Sequence, residues 1–156
     1  MIYETHSADE TKALAQMLAS SLNAGDVLLL NGDMGAGKSE FARGIARGLN
    51  IVEPVTSPSF TLLQVYESGR IPLYHFDWYR INSADEIYEL SMDEYIGGDG
   101  LTLIEWPSLA EELIPDCHLQ ISIQSIGDED RRITLTPAGN FHSIPTFHLR
   151  EGGENS

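Results

Sequence analysis

The amino-acid sequence predicts an α/β fold, a single domain with a central, mostly parallel sheet and additional antiparallel strands. Three observations lead to this prediction. An apolar run at residues 26–31 is followed by a glycine-rich turn and a helical pattern, the order of a buried strand, a tight connection and a helix. A second apolar run at residues 101–105 suits another buried parallel strand. Two late segments, residues 119–126 and 132–136, alternate like an antiparallel hairpin.

The first helix is predicted from a capping signal. Ser7-Ala8-Asp9-Glu10 has the form of a capping box, in which the serine hydroxyl caps the third amide and the glutamate reaches back. Apolar residues then recur at helical spacing, so we expect a helix from about residue 8 to residue 22, ended by Asn23-Ala24-Gly25. A second helix is predicted at residues 38–49, where Phe41, Ile45 and Leu49 form an inner stripe.

Shorter elements are predicted in the middle of the chain. Residues 60–66 and 71–79 read as two strands, with residues 67–70 as the hairpin turn between them. Ser83-Ala84-Asp85-Glu86 repeats the first capping signal, which predicts a second capped helix. Pro107 stands where a further helix would begin.

The domain is predicted to cover residues 1–136. Residues 137–156 show no clear period and are predicted to form a C-terminal extension that is partly mobile. The last residues, 151–156, are expected to form a mobile tail.

Composition and charge restrict the class of protein. The chain has 156 residues with 24 acidic and 9 basic side chains, for a net charge of −15. Because nucleic-acid affinity comes largely from Lys and Arg, so acidic a chain is poorly suited to hold RNA or DNA alone. The acidic excess indicates either simple solubility or a face that docks a basic partner. A single cysteine, the absence of a long apolar run and the lack of a secretory signal together predict a cytoplasmic protein.

The glycine-rich turn matches a phosphate-binding pattern in full. This is the Walker A motif Gly32-Asp33-Met34-Gly35-Ala36-Gly37-Lys38-Ser39. Its glycines let backbone N–H groups fold around a phosphate, and the following helix N-terminus adds partial positive charge. Lys38 is expected to reach the β- and γ-phosphates, and the Ser39 hydroxyl to ligate magnesium. The motif, between a buried strand and an amphipathic helix, predicts a P-loop NTPase-like domain.

A magnesium site needs a second anchor, usually a carboxylate at the end of a neighbouring buried strand. Glu105 ends the apolar run 101–105 and is the first candidate. Asp77 is the rival, because it shares a strand face with His75, opposite Tyr74, Phe76 and Trp78. That polar pair could bind a metal, orient a water molecule or simply satisfy itself by hydrogen bonding. One His and one Asp are too few for a zinc site.

The sequence favours ATP over GTP as the nucleotide. GTP-binding proteins of similar layout normally carry an Asn-Lys-x-Asp element for guanine, and neither Lys12 nor Lys38 fits one. Trp106, directly after Glu105, is either a stacking surface for the base or part of the core.

Four sequence blocks together resemble the TsaE family (older name YjeE), the bacterial ATPases of tRNA threonylcarbamoyladenosine biosynthesis. They are the Walker A motif, Thr56-Ser57-Pro58-Ser59-Phe60-Thr61-Leu62, Tyr74-His75-Phe76-Asp77-Trp78-Tyr79-Arg80 and Leu103-Ile104-Glu105-Trp106-Pro107. The resemblance runs from about residue 7 to 136. Walker A alone is unspecific, but the four blocks in this order are highly specific.

The resemblance implies a P-loop ATPase that supports the TsaB–TsaD complex in modifying adenosine 37 of tRNAs that read ANN codons. It implies Mg²⁺ with ATP as cofactor, TsaD and TsaB as partners, tRNA contact only through that complex, and no membrane. An ATPase that resets a partner would be slow alone and faster in the complex.

Residue roles follow from the resemblance. The resemblance implies that Lys38, Asp77 and Glu105 are catalytic residues. It implies that Ser39 and Glu105 bind magnesium, and that Ser57, Ser59 and Thr61 belong to a switch-like segment. Either Arg131 or Arg132 reaches the nucleotide from the late hairpin. The implied ATP-binding residues are Glu10, Gly32, Asp33, Met34, Gly35, Ala36, Gly37, Lys38, Ser39, Glu40, Trp106 and Arg131.

The chain departs from the family pattern after Lys38. The family usually carries Lys-Thr-Thr, and this chain has Lys38-Ser39-Glu40. Ser39 keeps the hydroxyl, but Glu40 adds negative charge near the α-phosphate, so its side chain must turn away.

Two other functions use the same motif, a P-loop small-molecule kinase and a non-enzymatic nucleotide-dependent module. A kinase usually needs an arginine-bearing lid, and the arginines here do not cluster as one.

Overall fold

A computed structural model describes residues 1–149, and these form one seven-stranded sheet with helices on both faces. The strands are β1 (Ile2–Thr5), β2 (Val27–Asn31), β3 (Leu63–Tyr66), β4 (Leu73–Asp77), β5 (Leu101–Glu105), β6 (His118–Ser125) and β7 (Arg131–Ala138). The α-helices are α1 (Ala8–Ala19), α2 (Lys38–Gly48) and α3 (Asp85–Glu89). Two 3₁₀ helices span Met92–Tyr95 and Pro107–Leu113.

The sheet is parallel at its centre and antiparallel at its edges. Its strand order is β1-β7-β6-β2-β5-β4-β3. The parallel pairs are β2 with β5, β2 with β6, and β4 with β5. β3 pairs antiparallel with β4, β6 with β7, and β7 with β1. The predicted α/β class, with a mostly parallel core and added antiparallel strands, is confirmed.

Alternating side chains of the central strands fill two separate cores. Leu28 and Leu30 of β2 point to the face covered by α1 and α2, whereas Val27 and Leu29 point to the face covered by α3. Both sets are buried, which is why β2 reads as an uninterrupted apolar run. The core between the sheet and helices α1 and α2 is the larger of the two. The end of β2 leads from this part of the sheet into α2.

The two helices of the larger core cross at very short range. Gly44 and Gly48 of α2 face α1, and a Cβ at Gly44 would lie 2.6 Å from the Ala15 Cβ and closer still to the Lys12 carbonyl oxygen. A Cβ at Gly48 would lie 2.5 Å from the Ala19 Cβ. Only glycine permits this approach, so the position of α2 depends on its contact with α1.

Several predicted bounds need correction. The strand expected at residues 60–66 begins only at Leu63, because a turn closed by the Leu62 amide on the Pro58 carbonyl occupies residues 58–62. The strand expected at residues 71–79 is limited to Leu73–Asp77. The turn between them lies where predicted.

The first helix ends earlier than expected. α1 stops at Ala19, and the Ser20 and Ser21 hydroxyls donate to the carbonyls of Met17 and Leu18 at 2.6 and 2.8 Å. These side-chain bonds compete with continuation of the helix. Leu22 is nevertheless buried, so the apolar spacing continues beyond the helix.

The second capping box is wrong. α3 begins after Ala84, and no side chain caps it. The Glu86 carboxylate instead accepts from the amide of Asn82 at 2.5 Å. The first capping signal holds in part, because the Ser7 Oγ accepts from the Glu10 amide at 3.1 Å. Pro107 begins a helix as predicted, although of the 3₁₀ type.

The C-terminal extension packs on the domain as far as the structure describes it. The predicted boundary after residue 136 falls inside β7, which ends at Ala138. Beyond it, Phe141, Ile144, Phe147 and Leu149 pack against the larger core. The Phe147 amide donates to the Tyr3 hydroxyl at 3.0 Å. The predicted tail at residues 151–156 lies outside the described residues.

Candidate functional site

A cavity of about 360 Å³ lies at the carboxyl ends of the parallel strands, beside the N-terminus of α2. In open α/β sheets, ligands bind at this end of the strands. Twelve of the predicted site residues line the cavity. They are Met34, Gly35, Gly37, Lys38, Ser39, Glu40, Ser57, Ser59, Asp77, Glu105, Trp106 and Arg131.

The glycine-rich loop is shaped by its glycines. Gly35 and Gly37 adopt φ angles of 79° and 106°, which a residue with a Cβ adopts only with strain. Gly37 is the N-cap of α2, and no side chain caps the first amides of this helix. Those donors, together with the helix dipole, make an anion site at the cavity wall.

Lys38 is the buried cation among the residues that line the cavity. Its side chain is buried, with the Nζ 3.8 Å from the centroid of the Trp106 ring. Burial lowers the pKa of Lys38, while the charges of Glu105, Asp77 and Asp33 act in the opposite direction. The ammonium therefore stands between an aromatic face and nearby carboxylates.

The two strand-end carboxylates are neighbours in the sheet. Asp77 of β4 and Glu105 of β5 are register partners, and both are buried. Asp77 accepts from the Ser59 hydroxyl at 3.0 Å and from the Tyr79 amide at 2.9 Å. Glu105 contacts the His75 Nε2 at 2.6 Å. The structure therefore brings both candidate anchors, which the sequence left as rivals, to one site.

The switch-like segment contacts the cavity through two of its three predicted residues. The hydroxyls of Ser57 and Ser59 are 2.8 Å apart, and Ser59 also bonds Asp77. Thr61 does not line the cavity, and its hydroxyl accepts from Gln64 at 3.3 Å. Leu62, at the end of the segment, has a φ of 69°, a strained value for a leucine.

Arg131, and not Arg132, reaches the loop from the β6–β7 hairpin. Its Nε donates to the Ala36 carbonyl at 2.8 Å. The side chain of Arg132 lies elsewhere, 3.2 Å from Glu4. Arg131 thus links the glycine-rich loop to the β6–β7 hairpin.

Some predicted residues lie away from the cavity. Glu10 turns back to the His6 amide at 3.2 Å, while Ala8 and Thr11 of the same helix line the cavity in its place. Ala36 is buried in the loop. Gly32 and Asp33 line a smaller cavity of about 180 Å³ next to Trp106.

Tyr79 also lines the cavity, although the sequence did not predict it as a site residue. Its ring lies 4.9 Å from the Trp106 ring, and the two form one aromatic wall. The available signal was the position of Tyr79, two residues after Asp77 in the chain. Trp106 itself has a φ of 58° directly before Pro107, so its backbone is strained at the site.

Glu40 is held by two cations. Its carboxylate oxygens lie 2.5 Å from an Arg43 nitrogen and 3.4 Å from the Lys12 Nζ. The side chain is therefore paired with cations of α1 and α2, although Glu40 still lines the cavity.

The fold and this cavity define the class. A central strand leads through a glycine-rich loop into a helix, with strand-end carboxylates beside the loop lysine, and this is a P-loop NTPase-like domain. The family model described as "Threonylcarbamoyl adenosine biosynthesis protein TsaE" matches residues 5–133. The chain belongs to the TsaE family, whose members take part in tRNA threonylcarbamoyladenosine biosynthesis.

Individual relatives agree with this assignment. The TsaE of Bacillus subtilis (strain 168) is 47% identical over 142 residues, which are 91% of this chain and 89% of the relative. That of Rickettsia conorii is 37% identical over 158 aligned residues, covering 99% and 83%. The crystal structure of YdiB from Bacillus subtilis superposes with a TM-score of 0.78 at 44% identity, covering 90% of this chain and 86% of that one. No helix within residues 1–149 has the length and apolar character to cross a membrane.

Proposed function

We propose that this chain binds ATP with Mg²⁺ and hydrolyses it in the cytoplasm, in support of a TsaB–TsaD complex. That complex would form the threonylcarbamoyl group on adenosine 37 of tRNAs reading ANN codons. The observation that carries the proposal is the position of Lys38. It lies at the N-terminus of α2, buried in a cavity that also contains Glu105, Asp77 and Ser39.

The triphosphate would lie against the glycine-rich loop and the first turn of α2. Amides of this turn donate to phosphate oxygens, and Lys38 neutralises the charge that develops on the transferred phosphoryl group. To do so, Lys38 leaves its contact with the Trp106 ring. Arg131 holds the loop by its hydrogen bond to Ala36, so the amides are already oriented.

The donors around Lys38 suit magnesium. Ser39 supplies a hydroxyl, and Glu105 and Asp77 supply carboxylates. Within residues 1–149 there is no group of three or more His, Cys, Asp or Glu side chains able to hold a metal ion alone. Magnesium usually binds through one or two carboxylates plus substrate phosphates, so this donor set fits it. When bound, the ion would be held by the Ser39 hydroxyl and these carboxylates, and it would neutralise negative charge on the phosphates.

Hydrolysis would need a water molecule in line with the γ-phosphate. Asp77 would orient this water molecule, because its carboxylate lines the cavity and is fixed by hydrogen bonds from the Ser59 hydroxyl and the Tyr79 amide. The water oxygen would bond to the γ-phosphorus as the bond to the β,γ-bridging oxygen breaks, giving ADP, phosphate and a proton. Ser57 and Ser59 would sense the γ-phosphate, since they line the same wall.

The base would stack on the aromatic wall of Trp106 and Tyr79. ATP is favoured over GTP because the chain lacks the Asn-Lys-x-Asp element. With a charge of −15, the chain would reach tRNA only through its partners TsaD and TsaB.

An ATPase assay with and without purified TsaB and TsaD tests the proposal. We expect slow phosphate release by the chain alone and faster release with both partners. Lys38→Ala should remove turnover, because it removes an electrostatic contribution of about 3 kcal/mol, or roughly a hundredfold in rate. Near-normal turnover in a folded Lys38→Ala protein would refute the P-loop mechanism.

Product analysis separates the alternatives. A phosphorylated small molecule in place of free phosphate would indicate a kinase. Tight ATP binding without turnover, even with both partners present, would indicate a non-enzymatic module.

A further inference from the structure

We infer that His75 is a positioning residue that fixes the orientation of the Glu105 carboxylate toward the cation site. This inference rests on the proposed function of the cavity. It concerns a residue to which the family blocks assign no role and which does not itself line the cavity.

The sheet register places the two side chains on one face. Glu105 is opposite Asp77, and His75 is opposite Leu103, two residue pairs further back along the same two strands and so on the same face. His75 and Glu105 therefore form a diagonal cross-strand pair, with the His75 Nε2 2.6 Å from the Glu105 Oε2. The side chains are 2% and 8% exposed, so water competes little for this bond.

The protonation of the ring follows from its partners. A carboxylate only accepts, so the His75 Nε2 carries the proton and donates it to Glu105. The His75 Nδ1 is buried and has no hydrogen-bond partner in the described part of the chain. A proton on Nδ1 would be an unpaired buried donor, so the Nε2–H tautomer leaves less unsatisfied.

The unpaired Nδ1 shows that this histidine is not a fully satisfied core residue. Its single side-chain hydrogen bond is directed at Glu105. Asp77 differs, because two groups fix its carboxylate, the Ser59 hydroxyl and the Tyr79 amide. Across residues 1–149, the Glu105 side chain has His75 as its hydrogen-bond partner and is otherwise directed to the cavity.

Outer-shell donors of this kind orient metal-binding carboxylates. Their loss typically weakens metal binding or activity 10- to 100-fold. His75 would therefore act on the cation-linked part of nucleotide binding and leave direct contacts between the protein and the nucleotide intact.

Three substitutions separate positioning from packing. His75→Gln keeps an amide donor near the Nε2 position, His75→Asn places its amide near the Nδ1 position, and His75→Phe keeps a ring without a donor. The measurement is ADP affinity, by calorimetry, in EDTA and across a magnesium titration. All folded variants should match the parent protein in EDTA. The magnesium concentration that gives half of the cation-linked gain should rise about 10- to 100-fold for Asn and Phe, and much less for Gln.

The spectroscopic signature does not depend on a variant at position 75. Long-range ¹H–¹⁵N NMR of the parent protein should show His75 as the Nε2–H tautomer, and Glu105→Gln should shift that signal. A parent protein without magnesium-linked ADP binding would overturn both this inference and the proposed function. A normal magnesium dependence for Phe, equal behaviour of Gln and Asn, or a ring with its proton on Nδ1 and none on Nε2 would overturn the positioning role alone.

Discussion

The close crossing of α1 and α2 makes Gly44→Ala a strong test of the structure. A Cβ at this position would lie 2.6 Å from the Ala15 Cβ. Because carbon atoms in contact prefer about 3.5–4.0 Å, the helices would have to separate by about 1 Å. The Lys12 carbonyl oxygen lies closer still, and backbone cannot rotate away as a side chain can.

The magnitude is a balance of two opposing effects. Overpacking a well-packed core costs roughly 1–3 kcal/mol. Replacing glycine by alanine inside a helix returns at most about 1 kcal/mol, through backbone entropy and helix propensity. Because the nearest atom is a backbone oxygen, the cost of overpacking lies in the upper part of its range, about 2–3 kcal/mol. We therefore expect Gly44→Ala to lower the free energy of unfolding by about 1–2 kcal/mol, a fall in Tm of roughly 3–6 °C for a domain of this size.

Thermal and urea denaturation, followed by circular dichroism, measure this change. Arg47→Ala is the matched control, because Arg47 is an exposed residue of the same helix and should change stability by less than about 0.5 kcal/mol. A Gly44→Ala protein as stable as the parent, or more stable, would show that the two helices are further apart than described.

Three further predictions concern the site and the C-terminal extension. Trp106→Ala should weaken ADP binding by about 1–2 kcal/mol, the scale of a base–aromatic stack. Unchanged ADP affinity, measured by calorimetry, would show that Trp106 is a packing residue that does not bind the base. Lys12→Met should weaken ADP binding roughly 2- to 5-fold, because the Glu40 carboxylate then lacks one of its two cationic partners. The effect of Lys12→Met should vanish in a Glu40→Gln background, and an equal loss of affinity there would contradict this explanation. The pKa of His142 is raised chiefly by its hydrogen bond to Asp26, so its contribution is complete below about pH 6.5 and lost as pH rises through the folded-state value. Denaturation across this pH range should show a fall in the stability of the parent protein, and His142→Gln should make that fall smaller. Identical pH profiles for the parent and the variant would show that the His142–Asp26 pair does not contribute to stability.

Much of the fold was predictable because the central elements carry strong local signals. β2 and β5 are buried on both faces and therefore read as continuous apolar runs. α2 follows a complete Walker A motif and has a clear apolar stripe. The edge strand β1 gave no such signal, because it is four residues long and pairs on one side with β7 alone. Its conformation is set by a partner distant in sequence, and local patterns do not report such pairing.

The positions of the site residues could be predicted where they belong to a motif or end a buried strand. They could not be predicted where a long side chain can extend in more than one direction. Asp77 and Glu105 were found because charges that end buried strands are unusual, although the sequence could not show that they are neighbours. Arg131 and Arg132 are adjacent on an alternating strand, and only the register with β1 reveals that Arg132 turns to Glu4. Glu10 does not line the cavity, because its carboxylate accepts a hydrogen bond from the His6 amide, a local contact that the sequence did not indicate.

The pairing of β1 with β7 also sets the order in which the molecule can assemble during synthesis. The Met1 ammonium group donates to the Leu135 carbonyl, 134 residues later in the chain. At about 5–20 residues per second, the ribosome would take on the order of ten seconds to deliver that partner. For most of this interval the apolar strand β2 lacks β6, its neighbour on one side, and the glycine-rich loop lacks Arg131. A newly made chain therefore carries an incompletely paired aliphatic strand until β6 has been synthesised, and unpaired apolar strands of this kind are prone to aggregation.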